Sequence, residues 1–421
     1  MFSRYYFSPT GILCITWIAF ILLKLILARD FYMSVDAALI FVLFIFSFFV
    51  GEFFMFWYTS SRPTSLIAIY MNKGSLESDL EIFNRDTIKK RLEYVLIILG
   101  ALSLAGSVLY VQSFLGYFGS VFNVLTAGWA LRGALEEISI PLFTRAILML
   151  GYSCIILTLV YNIFYQKFKW YFLLSYISLL IMGITQAGRA GFMMIIFQIF
   201  IASYWGEIFK MLKKKDHDNS LLRGPELKLV KRSFRLVLVI AVIFLGGDML
   251  RSQKFGVSSE ILGEAIFTFK IYLMGGISAF SSFFENYNYG QLGWGRYSFS
   301  SLYDLLGIQK NQLGVYTDYL RISSTDFSLE VNIFTAFRQY IDDFGIIGTV
   351  IIMIIGGSTC YIYFRKAVRG DLSSIAFMIV VYTILFHTVL LSITVHNAVL
   401  ISAVLPYFVI KFLKKSAKFN L

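Results

Sequence analysis

Two adjacent aspartates, one histidine and a scatter of arginines are the side chains of this sequence best suited to chemistry. Asp342 and Asp343 are candidates to orient a hydroxyl or accept its proton, and His396 is a third candidate base. Arg189, Arg251, Arg296, Arg321 and Arg338 carry permanent charge in a planar fork that grips phosphate oxygens in pairs. Several of them converging on one cavity would favour a diphosphate. Arg189 is nearly alone in a long apolar stretch, where a charge is costly unless it meets water, lipid phosphate or an anionic ligand.

Around these groups the composition suits a sugar. Tyr287, Tyr289, Trp294, Tyr297 and Tyr303 alternate with Asn286, Asn288, Gln291 and Arg296. Aromatic faces match the C–H face of a pyranose, while amides and guanidinium groups bond its hydroxyls. The plainer reading of the same residues is an aromatic belt at a membrane surface.

The segment 332–348 reads as an amphipathic helix. At 100° per residue Asn332, Thr335, Gln339 and Asp343 share one face, and Phe334, Phe337 and Ile341 lie opposite. Arg338 and Asp342, four apart, can pair. The polar face would hold an acceptor hydroxyl or a phosphate; a helix cap with a surface ion pair is the alternative. The Asp-Phe-Gly at 343–345 lacks every other element of a kinase and is incidental.

These residues are positioned by a membrane architecture. Hydrophobic residues make up 58% of the 421, charged residues 15%, and apolar runs of about 20 residues match a bilayer core. Ten spans are expected, near 11–28, 35–58, 94–114, 142–165, 171–187, 190–209, 236–250, 346–364, 372–391 and 397–412. The fold class is an all-α polytopic bundle in three parts: a membrane bundle over 1–250, a large outer loop over 251–345, and membrane helices with a tail over 346–421. With both termini in the cytoplasm, most of the 37 Lys and Arg fall inside, including Lys210, Lys213, Lys214 and Lys215. The net charge of +12 is thus topological, and no compact basic domain points to nucleic acid. The first apolar run is too long for a typical signal peptide and reads as a retained helix.

Residues 266–284 are nearly apolar, but Lys270 and the pair Gly275/Gly276 argue for an interfacial or re-entrant helix, because a crossing there would invert the charge pattern that follows. Cys14, Cys154 and Cys360 lie inside spans, without metal-ligand spacing or a disulfide framework.

The combination resembles the bacterial O-antigen polymerase family, the Wzy-type oligosaccharide repeat unit polymerases. The likeness rests on the ten spans, on Gly188-Arg189 at an outer turn before a long apolar helix, and on Asn332, Thr335, Asp343, Gly345 and Gly348 closing a large outer loop. An Arg-x10-Gly spacing from Arg296 to Gly307 is neutral, since chance supplies about one such spacing at this composition.

The resemblance implies a metal-independent, GT-C-like glycosyltransferase of the bacterial inner membrane, needing no cofactor, with its cleft facing the periplasm. Its substrate would be an undecaprenyl diphosphate-linked oligosaccharide, moved onto the non-reducing end of a new repeat unit, and its partners membrane lipids and a chain-length regulator protein. On that reading Arg189 leads the arginines at the diphosphate, Asn332, Thr335 and Trp294 contact saccharide, and Asp343, Asp342 or His396 serves the acceptor hydroxyl. The related O-antigen ligases depend on a histidine in the large outer loop, and 251–345 contains none. A lipid-linked oligosaccharide flippase is the rival from another class, with Lys24, Glu52 and Arg145 as pathway residues; internal repeats, usual in such transporters, are not evident.

Overall fold

The structure is a computed structural model describing residues 8–62, 65, 76–126, 130, 138, 140–185, 189–213, 259–288, 290–308, 316, 318–323, 325 and 329–419. The described helices, in chain order, are α1 (Pro9–Leu27), α2 (Val35–Ser61), α3 (Leu76–Phe83), α4 (Asp86–Phe118), α5 (Val121–Thr126), α6 (Leu142–Tyr165), α7 (Leu173–Thr185), α8 (Arg189–Lys213), α9 (Ser259–Glu285), α10 (Ser300–Leu305), α11 (Ala336–Val368), α12 (Leu372–His387) and α13 (Asn397–Phe419). One short antiparallel pair, β1 (Leu320–Arg321) and β2 (Glu330–Val331), sets Leu320 opposite Val331.

Among the described residues eight helices are long and apolar enough to cross a membrane. Seven coincide with expected spans, and the expected spans at 171–187 and 372–391 are shorter apolar helices. Helix α12 stops early because the chain turns back: the N–H groups of Leu390 and Leu391 both donate to the His387 carbonyl, at 2.9 and 2.8 Å. The expected span 236–250 lies outside the described residues. The eighth helix covers 266–284, the segment expected to be interfacial or re-entrant. That segment belongs to α9, a single helix in which Gly263–Glu285 is long and apolar enough to span, with no break to make it re-entrant. Lys270 does not interrupt it, because its ammonium is held by Asp30 at 2.8 Å over the ring of Phe31.

The chain divides into two compact units. The first comprises 1–71, 266–364 and 381–397. Ser8 and Ser34 start its first two helices by accepting the N–H groups of Gly11 and Ala37, each at 3.1 Å, as N-cap serines do. Its core is aromatic: Trp17 stacks on Phe337 at 4.8 Å, Phe44 meets the same ring edge-on at 5.1 Å, and the Trp17 indole N–H donates to Thr388. Helices α2 and α11 touch backbone to backbone. A Cβ on Gly51 would strike the Ile354 carbonyl, and one on Gly357 the carbonyl of Phe48.

The β pair packs on α9 through Phe31, Met274, Ile322, Val331 and Phe334, which gives the short strands the apolar support that two residues each cannot supply.

The second unit comprises 72–265, 365–380 and 398–421. Helix α6 is its centre, buried over most of its apolar window among α4, α7 and α8. At its edge Lys414 lies between Asp79 and Asp371, at 2.7 and 2.6 Å. Asp79 also accepts the Leu372 N–H, and Asp371 those of Ser374 and the Ser373 hydroxyl. Burial alone would raise both carboxyls. It leaves Asp79 above the usual range, whereas Lys414 and the serines bring Asp371 below it.

Candidate functional site

The site forms where α11 begins in the first unit. The helix expected over 332–348 starts only at Ala336, and Gly345, at φ 68° and ψ 179°, interrupts it. Asn332 is therefore exposed and off the helix, while the rest of the predicted polar face, Thr335, Gln339 and Asp343, is buried inside the protein. A face assigned to open solvent and substrate is an interior face.

The two aspartates separate in role. Asp343 is fully buried, and its carboxylate accepts the backbone N–H groups of Tyr297 and Ser298, at 3.0 and 2.6 Å. The backbone joins in: the N–H groups of Gly293 and Trp294 donate to the carbonyls of Asp342 and Asp343 at 2.9 and 3.0 Å. Asp343 fixes the loop 293–298 against α11.

Asp342, one residue earlier, faces a cavity of about 480 Å³. Its Oδ2 accepts the Tyr316 hydroxyl at 2.6 Å and lies 3.5 Å from Nε of Arg338. Its Oδ1 has no protein partner among the described residues. Burial, reinforced by the Asp342 charge, pushes the Tyr316 phenol well above its usual range, so Tyr316 stays a donor to that carboxylate.

Arg338 completes the wall. The ion pair with Asp342 expected from the four-residue spacing is present, and Nη2 also meets Asp318 at 2.7 Å. The guanidinium carbon sits 3.7 Å from the ring centre of Tyr316, 3.8 Å from Phe334 and 4.6 Å from Phe283, a cation among π faces. Only 6% of this residue is exposed, and Nη1 is buried without a hydrogen-bond partner among the described residues. An unsatisfied N–H of a charged group costs more than a made bond gains, so a ligand acceptor there is favoured. The remaining lining carries the amides of Asn286, Asn288 and Gln291 and the rings of Tyr287 and Tyr297, the latter parallel to Tyr316 at 5.4 Å.

Among the described residues the arginines do not cluster at this cavity. Of the three arginines whose side chains are described, Arg338 lines the cavity, beside two aspartates that outweigh it by one charge. Arg296 lines an adjoining groove together with Trp294. Arg321 lies on β1 and donates to the Ser323 carbonyl. Arg189 is the first residue of α8, but its side chain, like Arg132, Arg251 and Tyr289, lies outside the described residues. His396 follows a 3₁₀ turn, Ile393–Val395, and does not line the cavity; Thr335, fully buried, does not line it either.

Sequence reasoning found the amides, the tyrosines and the Arg338–Asp342 pair. It missed Tyr316, Asp318 and Phe283. Tyr316 and Asp318 sit in a stretch with no periodicity, and nothing short of the folded loop brings them to Arg338.

No family model, curated protein or solved structure matches this chain.

Proposed function

We propose that this chain is a membrane glycosyltransferase of the O-antigen polymerase kind, and that the cavity at the head of α11 holds the acceptor saccharide. The observation that carries this reading is a cavity walled by amides and tyrosines in which, among the described residues, Arg338 Nη1 and Asp342 Oδ1 have no hydrogen-bond partner. Amides and aromatic faces suit saccharide hydroxyls and C–H faces, and a net negative lining suits an uncharged sugar better than a phosphate.

Within it Asp342 is the group of choice for the acceptor. Tyr316 and Arg338 hold Oδ2 and so fix the carboxylate, and Oδ1 takes the hydrogen bond of the attacking hydroxyl and then its proton. The new bond joins that oxygen to the anomeric carbon of the donor as the bond from carbon to the diphosphate oxygen breaks. The departing diphosphate needs cationic stabilisation outside this cavity. Arg189 and Arg296 are assigned to it, with Arg251 in reserve. The substrate on this reading is an undecaprenyl diphosphate-linked oligosaccharide, met on the periplasmic side of the inner membrane, and a chain-length regulator protein is the expected partner.

Deletion of the gene tests the class. A polymerase deletion leaves surface glycans capped with one repeat unit, whereas loss of a flippase leaves no glycan. The second outcome would overturn the assignment.

A further inference from the structure

The turn beside the cavity is strained, and the strain displays an indole. Trp294 has φ 54°, a left-handed conformation that a bulky side chain rarely adopts. Such residues persist where their surroundings over-determine them, and cluster at functional sites. Here the constraints are explicit. The Trp294 N–H donates to the Asp343 carbonyl at 3.0 Å, the Trp294 carbonyl accepts the Tyr303 hydroxyl at 2.5 Å, and the Asp343 carboxylate binds the next N–H groups along the turn. Despite this fixation 70% of Trp294 is exposed. A core tryptophan would be buried, and a loosely placed surface residue would not be held this way.

The indole borders a groove of about 560 Å³ with Arg296 and Tyr303, and that groove shares Gln291 and Leu292 with the Asp342 cavity. Each recess is of a size that holds a small organic ligand. Because they share a wall, one extended molecule can occupy both.

We propose that the Trp294 groove is a second saccharide subsite, so that the site engages two consecutive sugar units, one beside Arg338 and Asp342 and the next stacked on the indole. Arg296 and Tyr303 supply the second unit with polar partners. This inference rests on the saccharide reading of the cavity and adds what that reading lacks, a demand on the length of the bound glycan. The competing occupant of an exposed tryptophan is a lipid headgroup.

The test uses the full-length protein in nanodiscs and two probes, a one-sugar and a two-sugar fragment released from the host's own lipid-linked repeat unit. The informative variant is Trp294→Gly, since glycine takes a positive φ without strain and the turn is retained while the ring is lost. Wild type should bind the two-sugar fragment about tenfold more tightly than the one-sugar fragment, a gap of the size expected for one stacked ring. Trp294→Gly should erase that preference while one-sugar binding stays, and Trp294→Tyr should restore part of it. The part of the indole fluorescence that Trp294→Gly removes, one of six tryptophans, should respond to the two-sugar fragment and resist quenching by brominated phosphatidylcholine.

A Trp294→Gly protein that keeps the full preference overturns the subsite alone. So does a Trp294 contribution, taken as the difference from Trp294→Gly, that brominated lipid quenches and sugar leaves unchanged. Failure of wild type to bind either fragment removes the saccharide reading along with it.

Discussion

Each unit of this protein holds one cation between two aspartates, and the two clusters differ in what surrounds them. Lys414 lies between Asp79 and Asp371 with every carboxylate also bonded to a helix start or a serine. Arg338 lies between Asp318 and Asp342, yet Nη1 of the arginine and Oδ1 of Asp342 have no protein partner among the described residues, and a cavity opens beside them. The first cluster is closed and acts as a brace between α3, α12 and α13. The second leaves two polar atoms unsatisfied among the described residues. Charge alone does not mark a site; charge left unsatisfied at a cavity does.

The comparison is sharpest in activity. Asp342→Asn keeps the shape and the bond from Tyr316 but cannot accept a proton, so polymer formation should fall by about 10²–10⁴-fold, the usual contribution of a general base, with a normal amount of folded protein. Quantifying the glycan ladder against detergent-extracted protein checks both. Lys414→Met should do the reverse. It leaves two buried carboxylates without their cation, which costs about 3–5 kcal/mol of stability, and turnover per folded molecule should be unchanged; thermal unfolding in detergent measures the loss.

Asp343→Asn falls between these cases. One amide oxygen replaces two carboxylate oxygens at the N–H groups of Tyr297 and Ser298, so stability should drop by about 1–3 kcal/mol and activity should fall with it as the Trp294 turn loosens. A catalytic loss in Asp343→Asn exceeding that of Asp342→Asn, at equal folded protein, would reverse the assignment of the pair. The smallest effect belongs to Asn332→Ala, within about 0.5 kcal/mol and without change in chain length, because Asn332 is exposed and off the cavity.

Much of the architecture was legible because it follows from periodicity and length. Hydropathy located the membrane helices, and the four-residue spacing located the Arg338–Asp342 pair. Three details were not legible in the sequence, each for a physical reason. Lys270 counted against a crossing at 266–284, yet its charge is answered by Asp30, a residue far away in sequence. The polar face over 332–348 was drawn on an ideal helix, whereas the helix begins at Ala336 and breaks at Gly345. Asp343 looked as available as Asp342 because the N–H groups that occupy it belong to Tyr297 and Ser298, some 45 residues earlier. Helical spacing tells which residues share a face, not which distant loop closes over it. The amides and tyrosines of the site were legible by composition; Tyr316 and Asp318 were not, since only the fold makes them neighbours of Arg338.

Placement of the site on the outer face is part of the same account, and an epitope inserted near Gly290 should be reached by antibody from the periplasm and not from the cytoplasm.

The central claim is that Asp342, held through Oδ2 by Tyr316 and Arg338, serves the acceptor hydroxyl through Oδ1. Its most direct test is single-turnover transfer by purified Asp342→Asn protein in proteoliposomes supplied with lipid-linked repeat units. The account predicts a loss of the first glycosidic bond by at least about 10²-fold while binding of the acceptor fragment is retained. Transfer at the wild-type rate would contradict it.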